Sequence, residues 1–258
     1  MRGETMIDSH IHADTRPYED FELMATCMEG AVTLAHDPLK MRSMDVLLSH
    51  FDRILENEVE KAAKNGLKLY VCIGVHPRAI PPNLDFEVVK EYLKKDHVVG
   101  VGEIGLEKCT KEEIDVFTEQ ILIAKELKMP VVVHTPRRNK EAVTKEILEI
   151  LDSLDLDKGA QQKIVIEHCT KETVKFVFDT EMFMGLTVQP SKLTPMDAVD
   201  IVKEYGGERF MLNSDSSSAP SDILSVPKTV VKMKSAGIDE TIVKTVSHDN
   251  AMKFFGLR

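Results

Sequence analysis

Met6-Ile7-Asp8-Ser9-His10-Ile11-His12 is a short apolar run that ends in two histidines spaced two apart. Side chains two apart on a strand face the same way, so both imidazoles would reach one point in space. Alone the pattern is weak, and two partly exposed strand-end histidines are its plain alternative. It gains weight from the rest of the chain, where Glu103, His134, His168 and Asp215 each close a further short run rich in apolar, β-branched residues. Six metal-capable side chains at the C-terminal ends of strand-like runs describe a site at the mouth of a barrel.

Working outward, eight such runs occur: Met6–His12, Ala31–Ala35, Leu69–Val75, Val98–Ile104, Val131–His134, Ile164–His168, Phe183–Val188 and Phe210–Ser214. Most are continuously apolar rather than alternating, as parallel strands covered on both faces require. Helix-compatible segments separate them. Thr110 and Glu113 form a capping box, each side chain satisfying a free backbone N–H of the first turn. Ile114, Phe117, Ile121, Ala124 and Leu127 then give one apolar face, and Lys128-Met129-Pro130 ends that helix. Thr194-Pro195 starts another, with proline where its missing N–H costs nothing. The second β/α unit is the least regular, because Glu19–Glu29 adds a short helix before it. Eight β/α units in 258 residues fit a single closed (β/α)8 TIM barrel spanning residues 1–258. An open doubly wound sheet is the alternative, but neither Gly-x-Gly-x-x-Gly nor Gly-x-x-x-x-Gly-Lys stands at a strand-to-helix turn.

The chain carries 33 Lys and Arg against 43 Asp and Glu, a formal charge of −10. That balance argues against an extended basic nucleic-acid surface, though not against phosphate held locally by metals. With 43% hydrophobic residues the chain can bury a core without staples, and no apolar run approaches the length of a membrane helix. Met1-Arg2-Gly3-Glu4-Thr5 leads directly into the first strand, leaving no room for a signal peptide. Cys27, Cys72, Cys109 and Cys169 are scattered without a Cys-x-x-Cys pair and read as reduced thiols. These features predict a cytoplasmic protein with no membrane association. They leave its oligomeric state open.

Glu103 lies within Val98-Val99-Gly100-Val101-Gly102-Glu103-Ile104-Gly105-Leu106. A carboxylate inside such a strand is heavily desolvated unless it is paired with Lys or Arg or bound to a cation. Its two oxygens suit it to bridge two metals, which lie about 3.5–4 Å apart in hydrolases that share one nucleophilic water. His134 and His168, at the ends of strands five and six, are together suited to clamp a second cation. Strand eight of a closed barrel neighbours strand one, so Asp215 reaches the ion of His10 and His12. His76, ending the third strand, is a candidate for substrate contact or support rather than a ligand, and His36 is weaker still. His50, His97 and His248 read as structural or surface residues. Arg137 and Arg138 are candidates to clamp an anionic group, with solvated helix-start charges as the alternative. Cys169 faces away from its neighbour His168 and stays outside the metal shell.

Assembled, the chain resembles the TatD-type metal-dependent hydrolases of the amidohydrolase superfamily. The stretches that carry the resemblance are Ile7–His12, Gly74-Val75-His76-Pro77, Gly102–Leu106, Pro130–His134, His168-Cys169, Ser214-Asp215 and the terminal Asn250–Leu257. The resemblance implies a distorted barrel with two divalent ions, zinc ahead of manganese or magnesium because of the imidazoles. His10, His12, Glu103 and Asp215 would hold one ion, and Glu103, His134 and His168 the other. Asp215 would act as general base, with Glu103 as the catalytic bridge. Relatives bridged by a carboxylated lysine place it on strand four, where this chain has Glu103, which favours the TatD-like branch.

Three stretches depart from the family's nuclease members. Asn213 replaces an acid two before Asp215, Glu107-Lys108-Cys109 replaces an Asp and aromatics, and Thr170-Lys171-Glu172 replaces a small-residue loop. The expected activity is metal-dependent hydrolysis of small-molecule, nucleotide or nucleic-acid phosphoesters or phosphodiesters. An amidohydrolase acting on an amide, lactone or cyclic amide is the alternative, followed by a catalytically silent metal-binding barrel.

Overall fold

A computed structural model of the protein describes residues 5–36 and 40–257; Met1–Glu4 of the amino-terminal reading lie outside them. All eight predicted runs form strands, with ends within two residues of those expected: β1 (Ile7–Ile11), β2 (Gly30–Leu34), β3 (Lys68–Ile73), β4 (Val98–Gly105), β5 (Val131–His134), β6 (Ile164–Ile166), β7 (Phe183–Thr187) and β8 (Phe210–Asn213). They pair in parallel in chain order from β1 to β8. Helices α1 (Tyr18–Ala25), α2 (Met44–Asp52), α3 (Val59–Lys64), α4 (Phe86–Tyr92), α5 (Lys111–Leu127) and α6 (Lys140–Ser153) alternate with the first five strands. The set continues with α7 (Lys158–Gln161), α8 (Lys171–Phe178), α9 (Pro195–Tyr205), α10 (Ser225–Ser235), α11 (Glu240–Lys244) and α12 (Asn250–Phe255). The fold is a TIM barrel. None of its helices is long and apolar enough to cross a membrane, among the described residues.

The barrel is distorted at its seam. β1 and β8 meet through a single bridge, Ile11 with Ser216, rather than a continuous ladder. Side chains complete the closure: Ser9 Oγ donates to the Leu212 carbonyl (3.1 Å), and Asp8 Oδ1 accepts the Ser214 N–H (3.0 Å). Register shifts interrupt β1 between Asp8 and Ile11 and β4 between Val101 and Ile104. Such bulges re-aim side chains, and these two lie on the strands that carry His10 and Glu103.

The interior changes character from bottom to top. Ile7, Val32, Cys72, Val132, Val165, Phe183 and Met211, from seven strands, form one apolar cluster that Phe254 and Phe255 of α12 cover from below. Two residues further along β6, β7 and β8 the inward positions become Glu167, Gly185 and Asn213. The alternate strand residues, such as Ala31, Val71, Val133, Ile166 and Leu186, pack outward against the helices. Gly105 ends β4 at φ 146°, where an added Cβ would stand 2.5 Å from the His134 carbonyl oxygen. Only glycine permits β4 and β5 to approach so closely there.

Helix α5 follows the predicted face, with Phe117, Ile121 and Ala124 buried. Its cap is half of what was expected. Thr110 Oγ1 accepts the Glu113 N–H, but the Glu113 carboxylate reaches further back, to the N–H groups of Glu107, Lys108 and Cys109 (2.8–3.0 Å). One acid thereby orders the whole β4–α5 turn, which satisfies more free donors than a capping box would. Thr194 and Asp197 do form the reciprocal box at α9, with Pro195 in its first turn.

Gln120 of α5 fixes the end of β3: its Oε1 accepts the Val75 N–H (2.7 Å) and its Nε2 donates to the Val75 carbonyl (3.1 Å). Replacing it with Leu leaves two buried backbone groups unpaired, at about 1–3 kcal/mol each. Gln120→Leu should therefore lower the unfolding free energy by about 2–6 kcal/mol in urea titration. A loss below about 0.5 kcal/mol would show that water replaces the amide.

Candidate metal centre

The strand ends bring all six predicted ligands together. Glu103, wholly buried, turns its two oxygens to different histidines. Oε1 lies 2.9 Å from His134 Nδ1 and 3.1 Å from His168 Nε2. Oε2 lies 3.8, 3.7 and 3.6 Å from Nε2 of His10, His12 and His76. Asp215 Oδ1 stands 3.1 Å from His12 Nε2 and 3.7 Å from His10 Nε2. Among the described residues, possible donor atoms converge in three groups, His10–His12–Asp215, His10–Glu103–His168 and His76–Glu103–His134. The second differs from the expected Glu103–His134–His168 set: His134 falls in the third group instead, its Nδ1 on Glu103 (2.9 Å) and its Nε2 on Glu107 (3.0 Å).

Local backbone geometry aims these side chains. Val165 and Glu167 point into the barrel, so strict alternation would turn His168 outward. His168 instead adopts φ 59°, and Asp215 adopts φ 44°. Left-handed conformations of this kind are uncommon for residues other than glycine and cost of order 1–3 kcal/mol each. Asp215 is held there by its own N–H, which donates to the His10 carbonyl (2.9 Å).

Hydrogen bonds also set the imidazole tautomers. His12 Nδ1–H donates to the Leu34 carbonyl (3.2 Å), leaving the Nε2 lone pair toward Asp215 and Glu103. His168 Nδ1 pairs with the Thr187 hydroxyl (2.8 Å), which can donate or accept as the other nitrogen requires. His10 is unlike both. It has no exposed surface and neither ring nitrogen has a hydrogen-bond partner, although Glu103, Glu167 and Asp215 surround it. A buried imidazole among three carboxylates, unpaired on both sides, fits a cation held at this point.

The electrostatics agree with that fit. Burial would push the His10 imidazolium down, yet Glu103, Glu167 and Asp215 carry it up to about 9. Burial would raise Glu103, but His134, His10 and the hydrogen bond from His134 hold it well below the usual carboxylate range. Asp215 is likewise depressed against its burial, chiefly by Lys192 and His12. Burial drives His168 and His76 well below the ordinary imidazole value, and His36 down to about 2.

A cavity of about 330 Å³ opens above the cluster, lined by His12, His36, Glu103, His134, His168 and Asp215 below and by Arg78, Glu107, Arg137, Arg138 and Lys192 at its rim. A second, of about 550 Å³, adjoins it and shares Arg137, His168 and Lys192. The two arginines are exposed, on the loop before α6. His76 is buried behind the cluster, its ring stacked on His36 with centroids 4.0 Å apart, and it offers Nε2 to Glu103 rather than to the cavity. His50 is buried in α2, His97 is exposed before β4, and His248 pairs with Asp249 (2.6 Å).

Several residues of the site carried no signal strong enough to single them out. Gln189 Nε2 donates to Asp215 Oδ2 (2.7 Å), which Lys192 also contacts. Lys140 ties together the ends of β5 and β6 through Thr135 Oγ1 (2.7 Å) and the His168 carbonyl (3.0 Å). Gln189 and Lys192 follow a strand's C-terminal end, where barrel sites are built, and that placement was the signal available. The three departures resolve locally. Asn213 Nδ2 donates to Glu167 Oε2 (2.8 Å), Glu107 faces His134, and the Thr170 N–H is capped by Thr173 Oγ1 (2.9 Å) at the start of α8.

Comparison with known proteins extends over nearly the whole chain. A metal-dependent hydrolase of Methanocaldococcus jannaschii is 40% identical over 256 residues, 98% of this chain and 100% of that one. The crystal structure of a TatD-like protein from Archaeoglobus fulgidus superimposes with a TM-score of 0.82 at 35% identity, covering 97% and 99% of the two chains. The phosphotriesterase homology protein of Escherichia coli, crystallised with phosphate in its active site, shares the fold at a TM-score of 0.71 and 15% identity, covering 98% and 99%. The family of TatD-related DNases matches residues 7–256. This chain belongs to that family and is a metal-dependent hydrolase of the TatD type.

Proposed function

We propose that the protein hydrolyses phosphoesters or phosphodiesters of small molecules, nucleotides or short nucleic-acid ends, using two divalent ions, zinc foremost. The observation that carries this reading is the cavity rim. Arg78, Arg137, Arg138 and Lys192 stand above the donor cluster of a chain whose net charge is −10. Cations gathered over one cavity of an acidic protein suit an anionic substrate, and guanidinium forks match phosphate oxygens. The phosphate in the active site of the E. coli structure is consistent with that choice.

His10, His12 and Asp215 would hold one ion and His134 and His168 the other, with Glu103 between them through its two oxygens. Bound metals would supply hydroxide near neutral pH and positive charge for the developing oxyanion. The protein supplies the rest. Asp215 Oδ1 is placed to accept the proton of an attacking water. Gln189 and Lys192 fix its Oδ2 and keep the group ionised. Lys192 and the two arginines orient the ester, and burial of the cluster confines water to the cavity.

Two measurements test this. Asp215→Asn should lower kcat on a phosphodiester such as bis(p-nitrophenyl) phosphate by about 10²–10⁴-fold, as loss of a general base does. Lys192→Met should raise KM and also lower kcat, because the same ammonium orients the ester and holds Asp215 ionised. Turnover confined to an amide and lactone panel would overturn the phosphoester reading. The second measurement is the pH dependence of chelator-treated protein. His10, raised to about 9, contributes stability that is complete below its unfolded value near 6.5 and is lost as pH rises through 9. His36, His76 and His168, all depressed, take up protons only on unfolding, so stability also falls as pH drops below about 6.5. Asp8, raised by burial to about 6, opposes that fall by one proton and does not reverse it. The melting temperature should peak near pH 6.5–7, and the stabilisation by added zinc should grow from there to pH 9 as the ion displaces the His10 proton. A flat profile with a pH-independent zinc effect would contradict the assignment.

A further inference from the structure

Glu167 belongs to none of the three donor groups, yet it is a carboxylate only 1% exposed in the middle of the barrel. Four strands build its surroundings. Glu167 directly follows the last residue of β6, immediately before His168. On β8, Asn213 Nδ2 donates to its Oε2 at 2.8 Å. On β7, Gly185 leaves the slot it occupies: an added Cβ there would stand 1.9 Å from Oε2. On β1, His10 Nδ1 lies 3.6 Å from its Oε1, and each of these two atoms is buried without a hydrogen-bond partner. The His10 ring therefore lies between Glu167 on its Nδ1 side and Glu103 and Asp215 on its Nε2 side.

We infer that Glu167 is a positioning residue for metal binding: it takes the Nδ1–H of His10, fixes the tautomer and ring orientation, and so presents the Nε2 lone pair to the ion. The inference rests on the proposed role of His10 as a ligand. Its physical basis is general. A ligating imidazole whose other N–H is held by a carboxylate is a stronger and better-oriented donor than one left free. Packing does not account for Glu167, because a carboxyl group buried above the apolar Val165 and Phe183 layer is desolvated, and an apolar side chain of the same volume would fill the space without that cost. Asn213 serves here as the anchor for an acid that β6 delivers, at a position where the family resemblance led us to expect an acid on β8.

The test measures Zn²⁺ affinity by competition with a chromophoric chelator for wild type, Glu167→Met and Glu167→Gln, alongside the melting temperature of each chelator-treated protein. Glu167→Met removes the acceptor and should weaken Zn²⁺ binding by about 10–100-fold; it also leaves the buried Asn213 Nδ2 unpaired, so the melting temperature should fall modestly. Glu167→Gln keeps an acceptor without its charge and should lose about tenfold or less, but measurably. If the methionine variant does not fold, the glutamine variant decides. Unchanged Zn²⁺ affinity in the folded variants, with or without a lower melting temperature, overturns the role of Glu167 while leaving the metal site standing. A wild-type chain that takes up no Zn²⁺ would instead overturn the metal reading, and this inference with it.

Discussion

Three carboxylates face one fully buried imidazole. Glu103, Glu167 and Asp215 surround His10 at 3.6–3.8 Å inside a barrel whose lower half is apolar. Acids gathered around one buried ring repel one another unless positive charge lies among them. In the metal-free protein the proton on His10 and the ammonium of Lys192 provide it. A divalent ion does so more completely, which is why the cluster reads as a binding site rather than as a structural salt-bridge network. Much of the barrel's upper architecture follows from assembling these charges at one point.

The scaffold meets that demand by departing from regular strand geometry where ligands are delivered. Bulges interrupt β1 and β4, and left-handed residues end the chain segments that carry His168 and Asp215. The seam between β1 and β8 gives up its ladder for side-chain bonds from Asp8 and Ser9. These deviations are tolerated because the rest of the barrel is conventional: seven parallel pairings, an apolar interior and a lower end covered by α12. Stability resides at the bottom and chemistry at the top, the usual division of labour in this architecture.

The loops shape the cavity above the cluster. The β4–α5 turn, ordered by Glu113, sets Glu107 against His134 and beside Arg78. The β7–α9 loop brings Gln189 and Lys192 onto Asp215. Neither arrangement follows from the metal cluster itself. The stretches that differ from the family's nuclease members are thus those that meet the cavity or support its floor, while the ligand-bearing strand ends agree with the family pattern.

The sequence by itself determined the strands and the identity of the residues at their ends. Continuous Val- and Ile-rich runs such as Pro130–His134 have only one stable use in an alternating β/α chain, a strand buried on both faces. The His10–His12 spacing and the lone Glu103 in its apolar run then pointed to a shared site. What the sequence left undecided depends on contacts between residues far apart in the chain. Glu167 and His168 are neighbours that a strand should send to opposite faces, and only the left-handed turn at His168 admits both to the interior. Lys192 is an ordinary loop lysine until β7 and β8 place it beside Asp215. Glu113 looked like half of a local capping box, but three amides of the preceding turn outbid the helix for its carboxylate. Periodicity and residue type are local and can be read along a chain; tautomers, pKa values and the pairing of buried charges are set by what closure of the barrel brings together.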